Sequence, residues 1–356
     1  MGNLLSTSII KRRKTSKPTS VNSSNRRVRS HKRQNPSTTS SKFSSSSSFS
    51  SKHAKSISSL KSNSSNSSYH FIDGRRYLDN SSYHLPSDDK EIDRLTIQHY
   101  VARSILRSNY CAPVEIRLKN GAKVLDVGCG PGTWSLDMAS EYPNSEFFGI
   151  DISPMYPQEI KPPNVEFKEA NLLEGLPFND NTFDFVVIRN MVTALSVDEW
   201  ENKVLQELIR VCKPGGYIES TEFEIPGSNR GPISTKLCDT WITTMRSKRI
   251  DLTISSRVEQ LYNNHKPASL DRVTHLKRQV PIGAWGNQIG NAMADDLIML
   301  SKAVQPMMVP AWGITNEQYD EYLEEVKREF NEYKSSCNIH VVFGRKRSGG
   351  GGENRV

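Results

Sequence analysis

Short apolar runs alternate with amphipathic segments between residues 122 and 224, and both ends of the chain lack this pattern. Five strands are predicted by apolar runs at residues 123–127, 147–151, 165–169, 183–188 and 217–223. Helical spacing separates several of them, most clearly from Trp200 to Val211, where Ser196 and Glu199 form a capping-box sequence. Strands that alternate with helices predict an α/β fold with helices on both faces of the sheet.

Further helices are predicted on both sides of this core, which spans residues 122–224. A leader helix over 88–107 has Asp88 or Ser87 as its cap and Glu91 in the first turn. After residue 227, apolar spacing predicts helices near 234–249, 258–263 and 287–304, and one that begins after Thr315. A last strand is predicted at 339–343, whereas residues 273–280 have a poor strand pattern. We assign residues 71–346 to one domain, whose part from 227 to 346 forms a helical cap and the last strands.

Three glycines follow the first core strand at alternate positions, Gly128, Gly130 and Gly132. Glycine lets the backbone turn sharply and lets a ligand approach it closely. Asp151 ends the next apolar run about twenty residues on, where a carboxylate can bind ribose hydroxyls. A nicotinamide oxidoreductase is a competing interpretation, but its fingerprint would need the last glycine at the position of Thr133.

The segment from Asp126 to Gly132 resembles motif I of class I S-adenosylmethionine-dependent methyltransferases. Three later segments resemble further motifs of that family in the same order: 149–153, 176–187 and 208–216. The resemblance implies a Rossmann-like, seven-stranded methyltransferase sheet, in which residues 273–280 would form the weak sixth strand. It also implies S-adenosylmethionine as cofactor and no metal.

The resemblance also assigns roles to residues. Asp126 and the glycine loop would surround the methionine end of the cofactor, and Asp151 would bind its ribose hydroxyls. Ile152 and Leu172 would hold the adenine between them, and Asn171 would contact its edge. Arg189 and Asn190 follow a strand at the sheet edge where α/β folds bind ligands. The full set of cofactor candidates is Asp126, Gly128, Cys129, Gly130, Gly132, Asp151, Ile152, Asn171, Leu172, Arg189 and Asn190.

The leader resembles that of fungal methyltransferases related to the LaeA regulator, from Tyr83 through Arg94 to His99. The resemblance implies that this helix covers the cofactor cleft, with Tyr83, Gln98 and His99 near cofactor or substrate. His99, Tyr83 and Glu222 are the candidates for a general base. A lone His on an apolar stripe is also typical of a core residue, and Glu219, Glu222 and Glu224 also fit a solvated strand face.

Charge is distributed unevenly along the chain. The first 72 residues contain 14 of the 47 Lys and Arg residues and no Asp or Glu, so the other residues carry 33 basic and all 39 acidic ones. The net charge of +8 therefore belongs to the tail, and residues 73–356 are mildly acidic, which argues against nucleic-acid binding by the folded part. Residues 1–70 are rich in Ser, and we expect them and residues 347–356 to be disordered.

The sequence from Met1 to Ser6 fits an N-myristoylation signal at Gly2, and a basic cluster from Lys11 to Lys14 follows. An acyl chain and a basic patch together anchor proteins to membranes, so we expect a cytoplasmic protein that associates with a membrane surface. The same basic cluster can also be a nuclear import signal, and a chance match at Gly2 is the alternative. The five cysteines show neither paired nor metal-binding spacing, which predicts free thiols.

These observations predict methyl transfer to a small apolar metabolite or lipid. The acceptor would contact the leader helix and the segment 227–315, whose apolar residues include Trp285, Met307, Met308, Val309, Pro310 and Trp312. The alternative is a LaeA-like regulatory methyltransferase that acts through protein partners, with no small-molecule acceptor.

Overall fold

The computed structural model describes residues 68–79, 83–265 and 269–348. A two-stranded antiparallel hairpin, β1 (Tyr69–Ile72) and β2 (Arg75–Leu78), precedes the main sheet. The main sheet consists of β3 (Lys123–Val127), β4 (Glu146–Asp151), β5 (Val165–Glu169), β6 (Phe183–Arg189), β7 (Cys212–Phe223), β8 (Leu270–Pro281) and β9 (Ser336–Lys346).

The seven strands lie in the order β5-β4-β3-β6-β7-β9-β8. The first five in this order run parallel, and β9 runs antiparallel to both β7 and β8. The predicted fold class is confirmed. The chain moves outwards from β3 to β5 and then returns to β6, so the carboxyl ends of β3 and β6 form the switch point at which such sheets bind ligands.

Ten helices occur in the described part of the chain. They are α1 (Asp89–Leu106), α2 (Glu115–Asn120), α3 (Thr133–Glu141), α4 (Val197–Glu199), α5 (Leu205–Val211), α6 (Pro232–Ser247), α7 (Val258–Asn264), α8 (Asn287–Ala303), α9 (Gln305–Trp312) and α10 (Asn316–Glu332). A π-helical turn at Trp200–Val204 joins α4 to α5. None of the helices among the described residues is long and apolar enough to cross a membrane.

The capping box predicted at Ser196 is present, and Thr315 forms a second one at the start of α10. At Asp88, the predicted cap of α1, a capping box is only half formed. Asp88 accepts a hydrogen bond from the Glu91 amide at 3.1 Å, whereas the Glu91 side chain turns inwards and pairs with Arg94. The start of α1 therefore joins a buried ion cluster.

Two elements have no counterpart in the predictions. The hairpin begins at Tyr69, inside the tail predicted over 1–70, and α9 contains two prolines, which weakened its helical pattern. Residues 213–216, expected to form a turn after the helix, belong to the start of β7. The weak strand predicted at 273–280 is the centre of a longer strand, because β9 pairs with it along most of its length.

Candidate functional site

A cavity lies at the carboxyl ends of β3, β4 and β6, where α1 covers it. Ten of the eleven predicted cofactor residues line it: Asp126, Gly128, Cys129, Gly130, Asp151, Ile152, Asn171, Leu172, Arg189 and Asn190. Tyr83 and His99 also line it. The sequence patterns missed several apolar wall residues, including Leu95, Met155, Met191, Ala194 and Leu195, because these lie on loops and on α1 without a sequence motif of their own.

The glycine loop is tied to the neighbouring strand by its backbone. The amides of Gly128 and Cys129 both donate to the carbonyl of Ile150 at 2.9 Å. Gly130 has φ +54°, in the left-handed region, and its amide donates to Asp151 Oδ2 at 2.8 Å. The loop therefore turns sharply beside the carboxylate that ends β4.

Gly132 departs from its predicted role, since it does not line the cavity. It caps α3 with φ +75°, and a Cβ placed on it would lie 2.5 Å from the Phe167 ring. Gly132 is therefore required for packing behind the loop.

Asp151 is held in place on the cavity wall by two backbone amides. Oδ2 accepts from Gly130, and Oδ1 accepts from Ser153 at 2.9 Å. Burial raises the pKa of Asp151, and the amides of Ser153 and Gly130 oppose that rise. Each carboxylate oxygen can accept a further hydrogen bond, so the pair of oxygens fits two vicinal hydroxyl donors.

Asn171 lines the same cavity, but its side chain is already engaged. Its Oδ1 accepts from the Leu173 amide at 3.0 Å, and its Nδ2 donates to Glu174 Oε1 at 3.0 Å. Ile152 and Leu172 on either side of this region supply apolar surface that can hold a flat ring. Asn171 can meet the edge of such a ring only through the second lone pair of its amide oxygen.

Polar atoms without a partner mark the opposite end of the cavity. Among the described residues, Arg189 Nε and Asn190 Oδ1 are buried and make no hydrogen bond. Asp126, also on this wall, accepts from Ser135 Oγ at 2.7 Å, and burial raises its pKa to about 6. Unsatisfied buried donors and acceptors are costly, so these two atoms fit a polar ligand group at this end.

His99 positions Arg189 and is poorly suited to act as a base. Its Nε2 lies 3.1 Å from Asp137 Oδ2, and its Nδ1 lies 3.3 Å from a terminal guanidinium nitrogen of Arg189. Burial and the charge of Arg189 lower the pKa of His99 to about 4. The ring is therefore neutral, donates to Asp137 and accepts from Arg189.

Tyr83 lines the cavity, but burial raises the pKa of its phenol, which disfavours the phenolate that a base would need. Glu222 does not line the cavity. It is 1% exposed and accepts from the amides of Met191 and Val192 at 3.0 and 3.3 Å. Glu219 is buried too and accepts from the amides of Cys111 and Ala112. Both glutamates hold loops inside the fold, contrary to the solvated face considered above.

These buried carboxyls predict a pH dependence of stability. Burial raises the pKa of Glu219 to about 7 and that of Glu222 to about 8. From about pH 4.5 upwards the folded form keeps protons that the unfolded chain has lost, so stability falls as pH rises towards these values. The histidines with lowered pKa, His84, His99 and His340, act in the opposite sense only below about pH 6.5.

We therefore expect the melting temperature to decline between pH 6.5 and 8.5, and Glu222→Gln to make that decline shallower. Scanning calorimetry at fixed ionic strength measures both slopes. An equal slope in Glu222→Gln and the native chain would contradict a raised pKa at this position.

A second cavity lies in the helical cap, next to the far side of α1. It is enclosed by residues of α6, α8, α10 and the segment that follows β7, and it shares no lining residue with the first cavity. Of the apolar residues expected to form an acceptor wall, only Met308 lines it; Trp285, Met307, Val309, Pro310 and Trp312 do not.

No cluster of three or more potential metal-ligating His, Cys, Asp or Glu side chains occurs in the described ranges. The five cysteines, all within those ranges, are free thiols.

Comparison with known proteins places this geometry in context. A family model described as a methyltransferase domain matches residues 124–216. Methyltransferase str2 of Strobilurus tenacellus is 25% identical over 74% of this chain and 96% of its own length. The secondary metabolism regulator LAE1 of Cochliobolus heterostrophus is 33% identical over 40% of this chain and 46% of its own. N-methyltransferase verN of Clonostachys rogersoniana is 36% identical over 40% of this chain and 50% of its own.

Proposed function

Because the chain belongs to the class I S-adenosylmethionine-dependent methyltransferases, we propose that it methylates a small, predominantly apolar acceptor. The observation that carries the proposal is the hydrogen bond between the Gly130 amide of the glycine loop and Asp151. The Asp151 carboxylate, which can accept further hydrogen bonds, lies between the apolar surface of Ile152 and Leu172 and the buried unpartnered atoms of Arg189 and Asn190. These features suit, in turn, the ribose, the adenine and the charged methionine part of S-adenosylmethionine.

When bound, S-adenosylmethionine supplies a methyl carbon that its sulfonium activates. An acceptor atom would form a bond to this carbon while the electrons of the carbon–sulfur bond stay on sulfur, and any proton on the acceptor atom would leave. The residues of this chain would bind and orient. Asp151 would hold the ribose hydroxyls, Ile152 and Leu172 the adenine, and Arg189, placed by His99, the carboxylate end. Positioning and exclusion of water are the main requirements of such a reaction.

None of the three predicted bases is suited to that role in this geometry. His99 is engaged at both ring nitrogens, the phenol of Tyr83 has a raised pKa, and Glu222 lies outside the cavity. We therefore propose an acceptor atom that needs no strong base, such as a neutral amine or an activated hydroxyl.

Labelled methyl transfer tests the proposal directly. The chain is incubated with methyl-labelled S-adenosylmethionine and a cell extract separated into protein and small-molecule fractions, and both are examined by mass spectrometry. We expect label in an apolar small molecule. Label only in protein would favour the regulatory alternative, which the match to LAE1 supports. Label in neither fraction would contradict both.

Gly130→Val tests the glycine loop, and we expect this substitution to abolish cofactor binding. A Cβ there would lie 3.4 Å from Leu95 Cδ1, and a β-branched residue resists φ +54°. Gly313→Val is the control, because Gly313 has φ +66° and a Cβ there would meet no atom within 4 Å. Calorimetry with S-adenosylhomocysteine measures binding, and equal affinity of both variants would show that the loop does not contact the cofactor.

We also propose that Gly2 is acylated and that this anchors the protein to cytoplasmic membrane surfaces. Gly2 and the basic cluster from Lys11 to Lys14 lie outside the described residues, so the proposal is supported by the sequence pattern alone. Each basic residue near an anionic surface contributes roughly 1 kcal/mol, which is enough for four to reinforce a weak acyl anchor.

Gly2→Ala is expected to release the protein from membranes at any salt concentration. Replacing the four basic residues by Gln should weaken binding only partly, and raised salt should mimic that change. Membrane flotation with intact-mass measurement of the N-terminus tests both. An unmodified N-terminus in the native chain would favour the nuclear or the plain cytosolic alternative.

A further inference from the structure

The second cavity has the composition of a ligand pocket. Its volume is about 90 Å³, and its wall is mainly apolar, with Leu237, Trp241, Met293, Leu300 and Phe330 among the residues that line it. For comparison, an apolar cavity of about 150 Å³ is known to hold benzene. The present cavity is smaller than that, so it suits at most one small ring or a short branched chain.

Two polar atoms on this wall have no partner. Gln98 and Trp241 are 7% and 8% exposed, and among the described residues Gln98 Oε1 and Trp241 Nε1 form no hydrogen bond. The orientation of the Gln98 amide is defined, because its Nε2 lies 3.4 Å from Asp296 Oδ2 and a carboxylate can only accept. Two side chains that line the cavity thus each hold one unpaired polar atom, an acceptor in Gln98 and a donor in Trp241.

Helix α1 separates this cavity from the first one, which is called the cofactor cavity because the proposed function assigns S-adenosylmethionine to it. Leu95 and His99 line the cofactor cavity, whereas Gln98, on an adjacent stripe of the helix, lines the second one. Tyr83 and Ile225 pack against the apolar clusters on both sides. Tyr83 lines the cofactor cavity and Ile225 lines the second one, so an acceptor that reaches both cavities would pass beside these two residues.

We propose that the second cavity is the compartment for the apolar part of the methyl acceptor, an inference that rests on the proposed function. The ligand it takes is a neutral, compact, largely apolar molecule with a hydrogen-bond donor for Gln98 and an acceptor for Trp241. A hydroxylated ring has this chemistry. The two acidic side chains on the wall, Glu224 and Asp296, outnumber its one basic side chain, Arg230, which disfavours an anion.

Calorimetry with phenol, and with toluene as the partner that lacks the hydroxyl, tests the polar recognition. We expect saturable phenol binding by the full chain, weakened about five- to tenfold in Trp241→Phe and in Gln98→Met, with toluene binding unchanged. Trp312→Phe is the control, because the Trp312 indole donates to Thr240 and does not line the cavity. Absence of phenol binding, or equal losses for phenol and toluene, would overturn the proposal.

A variant that fills the second cavity with a larger side chain tests the acceptor role independently of cofactor binding. Leu297→Phe adds volume to the wall, and Ile298→Phe makes the same change on the same helix at a residue that does not line the cavity. We expect Leu297→Phe to lose phenol binding and the labelled small-molecule product but to keep its affinity for S-adenosylhomocysteine. Undiminished product in Leu297→Phe would overturn the proposal.

The same measurements distinguish a failure of the proposed function. If the native chain binds phenol but neither binds S-adenosylhomocysteine nor forms product, the proposed function fails while the cavity remains a ligand site, and its acceptor role is overturned with it. If the native chain forms product but Ile298→Phe loses it as completely as Leu297→Phe, the effect belongs to α8 packing, which also overturns the assignment.

Discussion

Replacing Asp151 by Ala is expected to lower the affinity for S-adenosylhomocysteine at least tenfold. The carboxylate lines the cofactor cavity, where its oxygens can accept from the ribose hydroxyls in addition to the amides of Gly130 and Ser153. Hydrogen bonds to a charged group contribute about 1.5–3 kcal/mol each, and 1.4 kcal/mol corresponds to tenfold in affinity. Isothermal calorimetry at constant pH measures the change.

The control for this variant is Glu146→Ala. Glu146 begins the same strand that Asp151 ends, and its side chain makes only a surface pair with Lys123 at 3.4 Å. We expect it to bind S-adenosylhomocysteine like the native chain. Asp151→Asn should lie between the two, because it keeps one acceptor oxygen. Unchanged binding in Asp151→Ala, with a melting temperature that shows a folded protein, would remove Asp151 from the cofactor site.

The sequence predicted those parts of the site that are encoded locally. The glycine loop and Asp151 each follow an apolar run directly, so strand periodicity alone placed them at one sheet edge. Arg189 and Asn190 could be predicted in the same way, as the residues at which β6 ends.

Features that depend on distant contacts were not predictable in this way. Glu222 has the alternation of a solvated strand residue, but β9 and the loop after β6 cover it, and it binds Met191 and Val192. The partners of His99 are equally distant in sequence, Asp137 on α3 and Arg189 on β6. The second cavity depends on how five helices pack, and periodicity identifies an apolar face without identifying its neighbour.

The leader helix is fastened to the helical cap by a buried ion cluster. Arg94 on α1 lies 2.7 Å from Glu91 Oε1 and 2.9 Å from Asp296 Oδ1 on α8. All three side chains are almost fully buried, and burial raises the pKa of Asp296 to about 6. Since α1 also carries Leu95 and His99, the docking of this helix on α8 positions one wall of the cofactor cavity.

Arg94→Met is therefore expected to lower the free energy of unfolding by about 3–5 kcal/mol, because it leaves two buried carboxylates without their counter-ion. It should also weaken S-adenosylhomocysteine binding, as α1 would no longer be held over the cavity. Arg103→Met is the matched control on the same helix. Arg103 pairs with Asp137 at 2.8 Å but is 43% exposed, and exposed pairs contribute about 0–1 kcal/mol.

A compensated variant separates charge from packing. A triple variant replaces the whole cluster with Glu91→Gln, Arg94→Met and Asp296→Leu. It removes all three charges of this cluster, and such replacements are often neutral or stabilising. We expect this triple variant to recover most of the stability that Arg94→Met loses in urea unfolding. If the triple variant is as unstable as Arg94→Met, the loss arises from the shape of the Arg94 side chain in the α1–α8 contact, and the electrostatic account is wrong.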